Sequence, residues 1–340
     1  MEKRLKQVLN NEYGNYILPF YWQHGEDEAT LRLGMEKIHA SGIGAVCIES
    51  RPHPDFLGDK WWHDMDIIMD EARKRNMKVW VLDDSHFPSG FANGAVKDHP
   101  EAAKKYLTHY CIDEIGPMEK ASFMIRIDEG EKLLAVVAGK RDRKNRFSIT
   151  EPTDLTRLVT GNILYWDVPE GFWCITVIKT TNKGMGRPNY INPIDENAVK
   201  LLIDTVYEAH YEHYRDDFGK TFAGFFSDEP ELGNAAGGKY GHRATIGSYD
   251  LTLSWSNELE KRLIDLWKSD YGVKLASLWH EIDTISPDAR YDYMDLVTQL
   301  YDRCFCSQIG DWCREHGVEY IGHVIEDGNC HSATGLGTGH

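Results

Sequence analysis

The segment Gly224–Leu232 reads GFFSDEPEL and sets Asp228, Glu229 and Glu231 within four residues, directly after an apolar run. Carboxylates gathered at one place can bind hydroxyls or hold a cation. They can also work as a pair, one protonating a leaving group while the other activates water or attacks carbon. Similar clusters follow the other apolar runs of strand length. Trp22, Gln23 and His24 follow the first, Glu49 and Arg51 the second, and Asp83, Asp84 and His86 the third. The last run, Val318–Ile325, contains His323 and leads into Glu326, Asp327, Asn329 and His331. The opposite ends of these runs carry ordinary Lys, Gly and Asn. A general acid needs its pKa raised by burial or nearby negative charge, and Glu229 has Asp228 and Glu231 as neighbours.

The elements that must position these residues alternate. Tyr16–Trp22, Ala45–Glu49, Lys78–Leu82, Thr221–Phe226 and Val318–Ile325 read as buried strands. In Glu26–Ala40, Leu31, Met35 and Ile38 share a helical face, and acids crowd the first turn. In Trp61–Arg75, Met65, Ile68, Met69 and Ala72 recur at helical spacing, and Asn76 suits the end of that helix. Asn192-Pro193 marks a further helix start, after which Val199, Leu202, Ile203, Val206 and His210 share a face. Leu253–Tyr271 reads as helical, and Ser286-Pro287 begins a long helix that stops at Gly317. Near-continuous apolar strands separated by amphipathic helices imply a parallel sheet covered by helices.

From about Tyr106 to Thr180 the rhythm changes to short alternating segments. Phe123, Ile125 and Ile127 interleave with polar residues, and Ile163–Asp167 and Phe172–Ile178 flank a Val-Pro-Glu-Gly turn. The expected organisation is α/β: a (β/α)8 TIM-type barrel, incomplete at about five βα units, with a small antiparallel β insertion after strand three. Residues 1–104 supply strands one to three, 105–182 the insertion, and 183–340 strands four and five. Such a sheet would leave unpaired edges, so the sequence is expected to be a truncated form or to need a partner to complete it. In barrels of this kind the active site lies at the carboxyl ends of the strands, where the polar clusters fall.

The chain has 340 residues, of which 41% are hydrophobic and 11% aromatic, so it can build a large core. A net charge of −16 argues against nucleic acid or an anionic membrane as partner. No signal peptide or membrane-spanning run is evident. The seven cysteines form no CxxC motif and read as reduced thiols of a cytoplasmic protein, with Cys304, Cys306 and Cys313 the grouping to weigh as a metal site. A site of carboxylates, His, Asn and Trp without a phosphate-cradling Gly-Lys motif suits a neutral polyhydroxylated ligand. Acids and amides bind its hydroxyls, and flat aromatic faces cover the apolar side of a sugar ring. Candidate substrate-binding residues are Trp22, Glu49, Asp83, Asp84, His86, Asp228, Glu231, His323, Asn329 and His331.

FSDEPEL at 226–232 resembles the strand-four Asn-Glu-Pro signature of barrel glycoside hydrolases, with Asp228 in place of the Asn. DDSHFPSGFANGAV (83–96), NYINPIDENAV (189–199) and GHVIEDGNCHSATGLGTGH (322–340) are similar to segments of bacterial glycoside hydrolases near the family 106 α-L-rhamnosidases. In the first, Phe87 stands for a Trp of that group's loop and Asn93 for a Gly. The resemblance implies a glycosidase in which Glu229 is the general acid and Glu326 the candidate second carboxylate. In retaining barrel enzymes the nucleophile comes from strand seven, which would leave Glu326 a substrate ligand; on the inverting plan a partner acid from another strand is expected. The resemblance also implies longer relatives and allows a bound calcium ion, for which the sequence assigns no ligands; no other cofactor is expected. Two other readings stand beside it. One is a metal-dependent barrel isomerase or hydrolase using His323, Glu326 and His331. The other is a degenerate barrel that binds glycan without catalysis.

Overall fold

A computed structural model describes residues 5–6, 9–10, 17–142, 144–145, 147–183, 187–232, 246–247 and 251–323. The chain opens with β1 (Phe20–Trp22), α1 (Glu28–Ala40), β2 (Ala45–Glu49), α2 (Asp59–Arg75) and β3 (Lys78–Leu82). Asp27 caps α1 by accepting the Thr30 N–H at 2.8 Å. α2 buries Met65, Ile68, Met69 and Ala72 completely and ends on Asn76 in the left-handed conformation (φ 53°, ψ 41°). Next come the antiparallel strands β4 (Lys105–Met124), β5 (Lys132–Arg141), β6 (Ile149–Asp154), β7 (Val159–Thr160) and β8 (Ile163–Thr181). α3 (Glu196–Leu202) and α4 (Glu208–Tyr214) follow, joined by a π-helical segment, Ile203–Tyr207, and then β9 (Phe222–Asp228). The remainder is β10 (Leu253–Trp255), α5 (Asn257–Trp267), α6 (Tyr271–Ala276), α7 (Ile285–Tyr301), α8 (Gln308–Glu315) and β11 (Glu319–His323).

The chain divides into two compact units. One comprises Met1–Pro100, Asn197–Glu231 and Cys306–Val324; the other comprises Glu101–Glu196, Leu232–Phe305 and Ile325–His340. The first unit holds a five-stranded parallel sheet in the order β1-β2-β3-β9-β11. Among the described residues these strands do not close into a barrel, so the fold is mixed α/β with a parallel sheet. Alternation along the strands gives the sheet two faces. One face carries Ala45, Cys47, Trp80, Leu82 and Phe226 as a buried cluster. On the other, Phe225 packs against Tyr207, His210 and Trp312 (ring centroids 4.2, 5.6 and 6.0 Å apart), so α4, α8 and the π segment cover it. β9 and β11 approach so closely at Gly224 that a Cβ there would meet the Glu319 carbonyl oxygen at 2.1 Å, which explains a glycine inside a buried strand.

The second unit holds a six-stranded antiparallel sheet, β10-β4-β8-β5-β6 with β7 beside β8. Ile125, Val136, Ala138, Leu164, Trp173, Ile175 and Val177 form its core. Several local expectations differ from this structure. The Val-Pro-Glu-Gly segment is not a turn: β8 runs through it, and register shifts between Gly116 and Ala121 of β4 absorb the irregularity. Leu253–Trp255 is a strand paired with Lys105–Leu107, and the following helix starts only where Ser256 accepts the Leu259 N–H at 3.2 Å. The Asn192-Pro193 helix start is delayed to Glu196, because Asn192 Oδ1 accepts the Ile194 N–H and the Asn192 carbonyl accepts the Asp195 N–H, making a turn. The long helix from Ser286 is interrupted by a π-helical segment at Asp302–Ser307.

Candidate functional site

Register brings the carboxyl ends of the parallel strands into one row. Trp22 pairs with Glu49, Leu82 with Phe226, and Asp228 with His323. Around this row opens a cleft of about 870 Å³, lined by Phe20, Trp22, Phe56, Phe87, His86 and Asp228 among others. Phe20, Trp22 and Phe87 keep 37%, 49% and 42% of their surface exposed, so flat apolar rings face solvent beside charged groups. This arrangement suits a ligand with one apolar and one hydroxylated face.

Arg51 organises the charges. Its Nε donates to Glu49 Oε1, and its Nη2 donates to Glu49 Oε2 at 2.6 Å and to Asp228 Oδ2 at 2.8 Å. Its guanidinium carbon lies 5.8 Å from the Trp22 ring centroid and 5.4 Å from that of Phe87. Burial opposes the Arg51 charge, but the Glu49 and Asp228 carboxylates more than offset it and raise its pKa. Glu49 is fully buried and serves as the anchor of Arg51. Sequence reasoning placed Arg51 at a strand end without giving it a role in the site. The signal was its separation of two from a strand-end acid, the spacing that closes the Glu49–Arg51 fork. Phe20 and Phe87 were also missed as cleft residues, because single exposed aromatics leave no periodic trace.

Asp83 and Asp84, just past the end of β3, enter different environments. Asp83 is buried toward the helices, where it accepts hydrogen bonds from Ser89 Oγ, Ser227 Oγ and, at 2.7 Å, Tyr207 OH. Tyr207 reaches it from the π-helical segment. Asp84 accepts four backbone N–H groups, from Ser85 (2.7 Å), Gly90 (2.9 Å), Ala92 (2.9 Å) and Asn93 (3.2 Å), and so fixes the conformation of loop 85–93. That loop carries His86 and Phe87 into the cleft. Both acids therefore build the wall of the site from behind.

Burial pushes the Asp83 carboxyl up to about 7, outweighing its hydroxyl donors. The folded chain thus holds a proton that the unfolded chain releases near pH 4. The associated stability is complete below about pH 4 and is lost as pH rises through about 7, at up to about 1.4 kcal/mol per pH unit. Asp83→Asn should remove this component. Its urea midpoint should fall less than that of the wild type between about pH 5 and about pH 8. Equal falls would show that Asp83 does not carry the proton.

Glu229 follows β9 in a left-handed backbone conformation (φ 48°), and its N–H donates to the His323 carbonyl at 3.1 Å. One carboxylate oxygen each of Asp228 and Glu229 and one ring nitrogen of His323 lie within 4.8 Å of one another. His323 Nδ1 is 3.2 Å from Asp228 Oδ1. His86 Nδ1 is 2.8 Å from Ser85 Oγ at the rim. Glu231 is half-buried two residues beyond Glu229. Glu326, Asn329 and His331 lie outside the described residues, as does the expected spacing of Glu229 from Glu326.

Among the described residues, Asp228, Glu229 and His323 are the groups of the cleft that can hold a cation. Among the described residues, two carboxylates and an imidazole, with the Arg51 guanidinium already on Asp228, supply fewer oxygen ligands than the roughly six to eight that calcium takes.

No family model matches the chain, and no curated protein matches it. Solved structures do. Rhamnosidase from Novosphingobium sp. PP1Y superposes with a TM-score of 0.59 at 10% identity, over 92% of this chain and 46% of that one. A beta-galactosidase from the psychrophilic Marinomonas ef1 gives a TM-score of 0.42 at 11% identity, over 90% of this chain and 37% of that one. The chain therefore spans less than half the length of these neighbours. The first likeness shows a shared fold with part of a glycoside hydrolase. The second is too distant to argue from. No helix among the described residues is long and apolar enough to cross a membrane.

Proposed function

We propose that the cleft belongs to a glycoside hydrolase, and that Glu229 is its general acid. The observation that carries this is the row of parallel-strand ends, where Glu229 lies within 4.8 Å of Asp228 beside a cleft rimmed by Trp22, Phe20 and Phe87. The fold shared with a rhamnosidase supports a sugar substrate. The likeness of 83–96 to the family 106 group supports α-L-rhamnosides as the first class to try. On this reading Trp22 and Phe87 stack on the sugar, and His86 and His323 bind hydroxyls. Asp228 is held by Arg51 as a fixed negative charge, and Glu229 protonates the departing oxygen. Glu326 remains the proposed second carboxylate. The parallel sheet is read as the first five strands of a barrel.

The proposal is tested with a panel of aryl glycosides that includes α-L-rhamnosides, assayed alongside saturation-transfer NMR of the free sugars. The expected result is turnover of at least one substrate, and a Trp22→Ala chain whose KM for it rises about tenfold. Sugar binding without turnover would establish the non-catalytic glycan-binding reading instead, and the absence of both would overturn the assignment. A metal-dependent hydrolase or isomerase draws on the convergence of Asp228, Glu229 and His323. Loss of activity on chelation, restored by Zn2+ or Mn2+, would establish that reading in place of acid catalysis.

A further inference from the structure

The antiparallel unit holds a second group of reactive side chains. Strand alternation sends Tyr110, Ile112, Trp173, Ile175 and Val177 to the apolar core on one face of the β4–β8 pair. Cys111, Cys174 and Thr176 go to the other, where Cys111 pairs directly with Thr176 and Cys174 sits diagonally across. His280, four residues past α6, packs onto the same spot. Cys174, Thr176 and His280 are wholly buried, and Cys111 is half-buried.

The donor atoms converge. Cys111 Sγ lies 3.7 Å from His280 Nε2, and both sulfurs lie 3.6 Å from Thr176 Oγ1. Thr176 Oγ1 is 2.8 Å from His280 Nε2. The two sulfurs and a ring nitrogen of His280 all lie within 4.8 Å of one another. In a tetrahedral zinc centre with bonds of about 2.3 Å to sulfur and about 2.0 Å to nitrogen, sulfur and nitrogen ligands stand about 3.5 Å apart. The Cys111–His280 separation is close to that of such a centre, and Cys174 lies within 4.8 Å of both, so a small adjustment would seat an ion. The Thr176 hydroxyl marks its fourth corner, where it or a water would complete the shell. The neighbouring Cys111 and burial raise the Cys174 thiol well above its ordinary pKa, and Arg141, ion-paired with Asp113 at 2.8 Å, offsets this only in part, so the ion itself must displace the protons.

We propose that Cys111, Cys174 and His280 form a binding site for one thiophilic divalent cation of the Zn2+ class. The ion bonds to both sulfurs and to Nε2, the two thiols release one proton each, and no electrons are exchanged. Two thiolates neutralise the ion, so the buried centre carries no net charge. Cys111, the least buried ligand, is the side from which the ion enters. The sequence alone reads all seven cysteines as reduced thiols, with only Cys304, Cys306 and Cys313 weighed as a grouping, whereas among the described residues it is Cys111 and Cys174 that converge on a histidine. The site does not rest on the glycosidase reading.

The test is titration of the reduced full chain with Co2+, followed by Zn2+. The expected result is one Co2+ per chain with a near-ultraviolet thiolate-to-cobalt band, abolished by Zn2+. The band should be lost in Cys174→Ser and His280→Gln and kept in Cys304→Ser. Should the variants fail to fold, the wild type alone decides. Zn2+ should slow alkylation of Cys111 and Cys174 at least about tenfold while leaving Cys304 and Cys306 unchanged. No band in the wild type, an undiminished band in a folded Cys174→Ser, or equal alkylation of all four cysteines would overturn the proposal.

Discussion

Arg51→Met should destabilise the first unit by about 3–5 kcal/mol, the range found when one partner of a buried ion cluster is removed. Glu49 is fully buried and Asp228 is 8% exposed, and Arg51 contacts both carboxylates. Without it, two buried acids at the ends of β2 and β9, on either side of β3, would be left with their main donor gone. Methionine keeps most of the apolar stem, so the loss reports charge rather than volume. Urea denaturation checks this. A drop of less than about 1 kcal/mol would mean that the cluster contributes no more than a surface pair. Arg51→Met combined with Glu49→Gln should recover part of the loss, because one of the stranded charges is gone. The substitution should also impair any sugar chemistry in the cleft, since Arg51 fixes Asp228 and lies near the rings of Trp22 and Phe87.

The parallel sheet was legible because its strands are short, apolar and bounded by glycine or asparagine. Ala45–Glu49 and Lys78–Leu82 fall on their expected residues. Asn76 ends its helix in the left-handed conformation that asparagine tolerates. The face shared by Val199, Leu202, Ile203, Val206 and His210 is buried throughout, even though a π-helical segment runs through it. What the pattern hid depends on tertiary partners. The bulges opposite Val-Pro-Glu-Gly exist only because β4 and β8 pair over their whole lengths, and a local reading of Pro and Gly gives a turn. β10 is three residues long and becomes a strand only by pairing with β4.

The site was legible as a set of strand ends and illegible as a set of roles. Just past the end of β3, Asp83 and Asp84 enter different environments, one under Tyr207 and one into its own loop, so adjacent acids became supports for the cleft. No spacing rule foretells that Asp84 accepts four backbone N–H groups from a loop that closes over it. Arg51 could be placed but not assigned, because its bond to Asp228 spans 177 residues of chain.

Glu229→Gln should lower turnover of a poor-leaving-group glycoside by at least about a hundredfold, as expected for loss of a general acid. Glutamine keeps the size of the side chain and its place after β9 but has no proton to give. A leaving group that departs as a stable anion needs no such proton, so an activated aryl glycoside should be largely spared. The contrast separates acid catalysis from a structural role, which would depress both substrates alike. The proton must also be present at the start of each turnover, so wild-type activity on the poor substrate should fall on the alkaline side of its pH profile. That fall should vanish in the variant. The decisive measurement is therefore the ratio of wild-type to Glu229→Gln turnover on one good and one poor leaving group with the same sugar. A ratio at least about tenfold larger on the poor leaving group is the result expected if Glu229 protonates the departing oxygen, and equal ratios on the two substrates would contradict it.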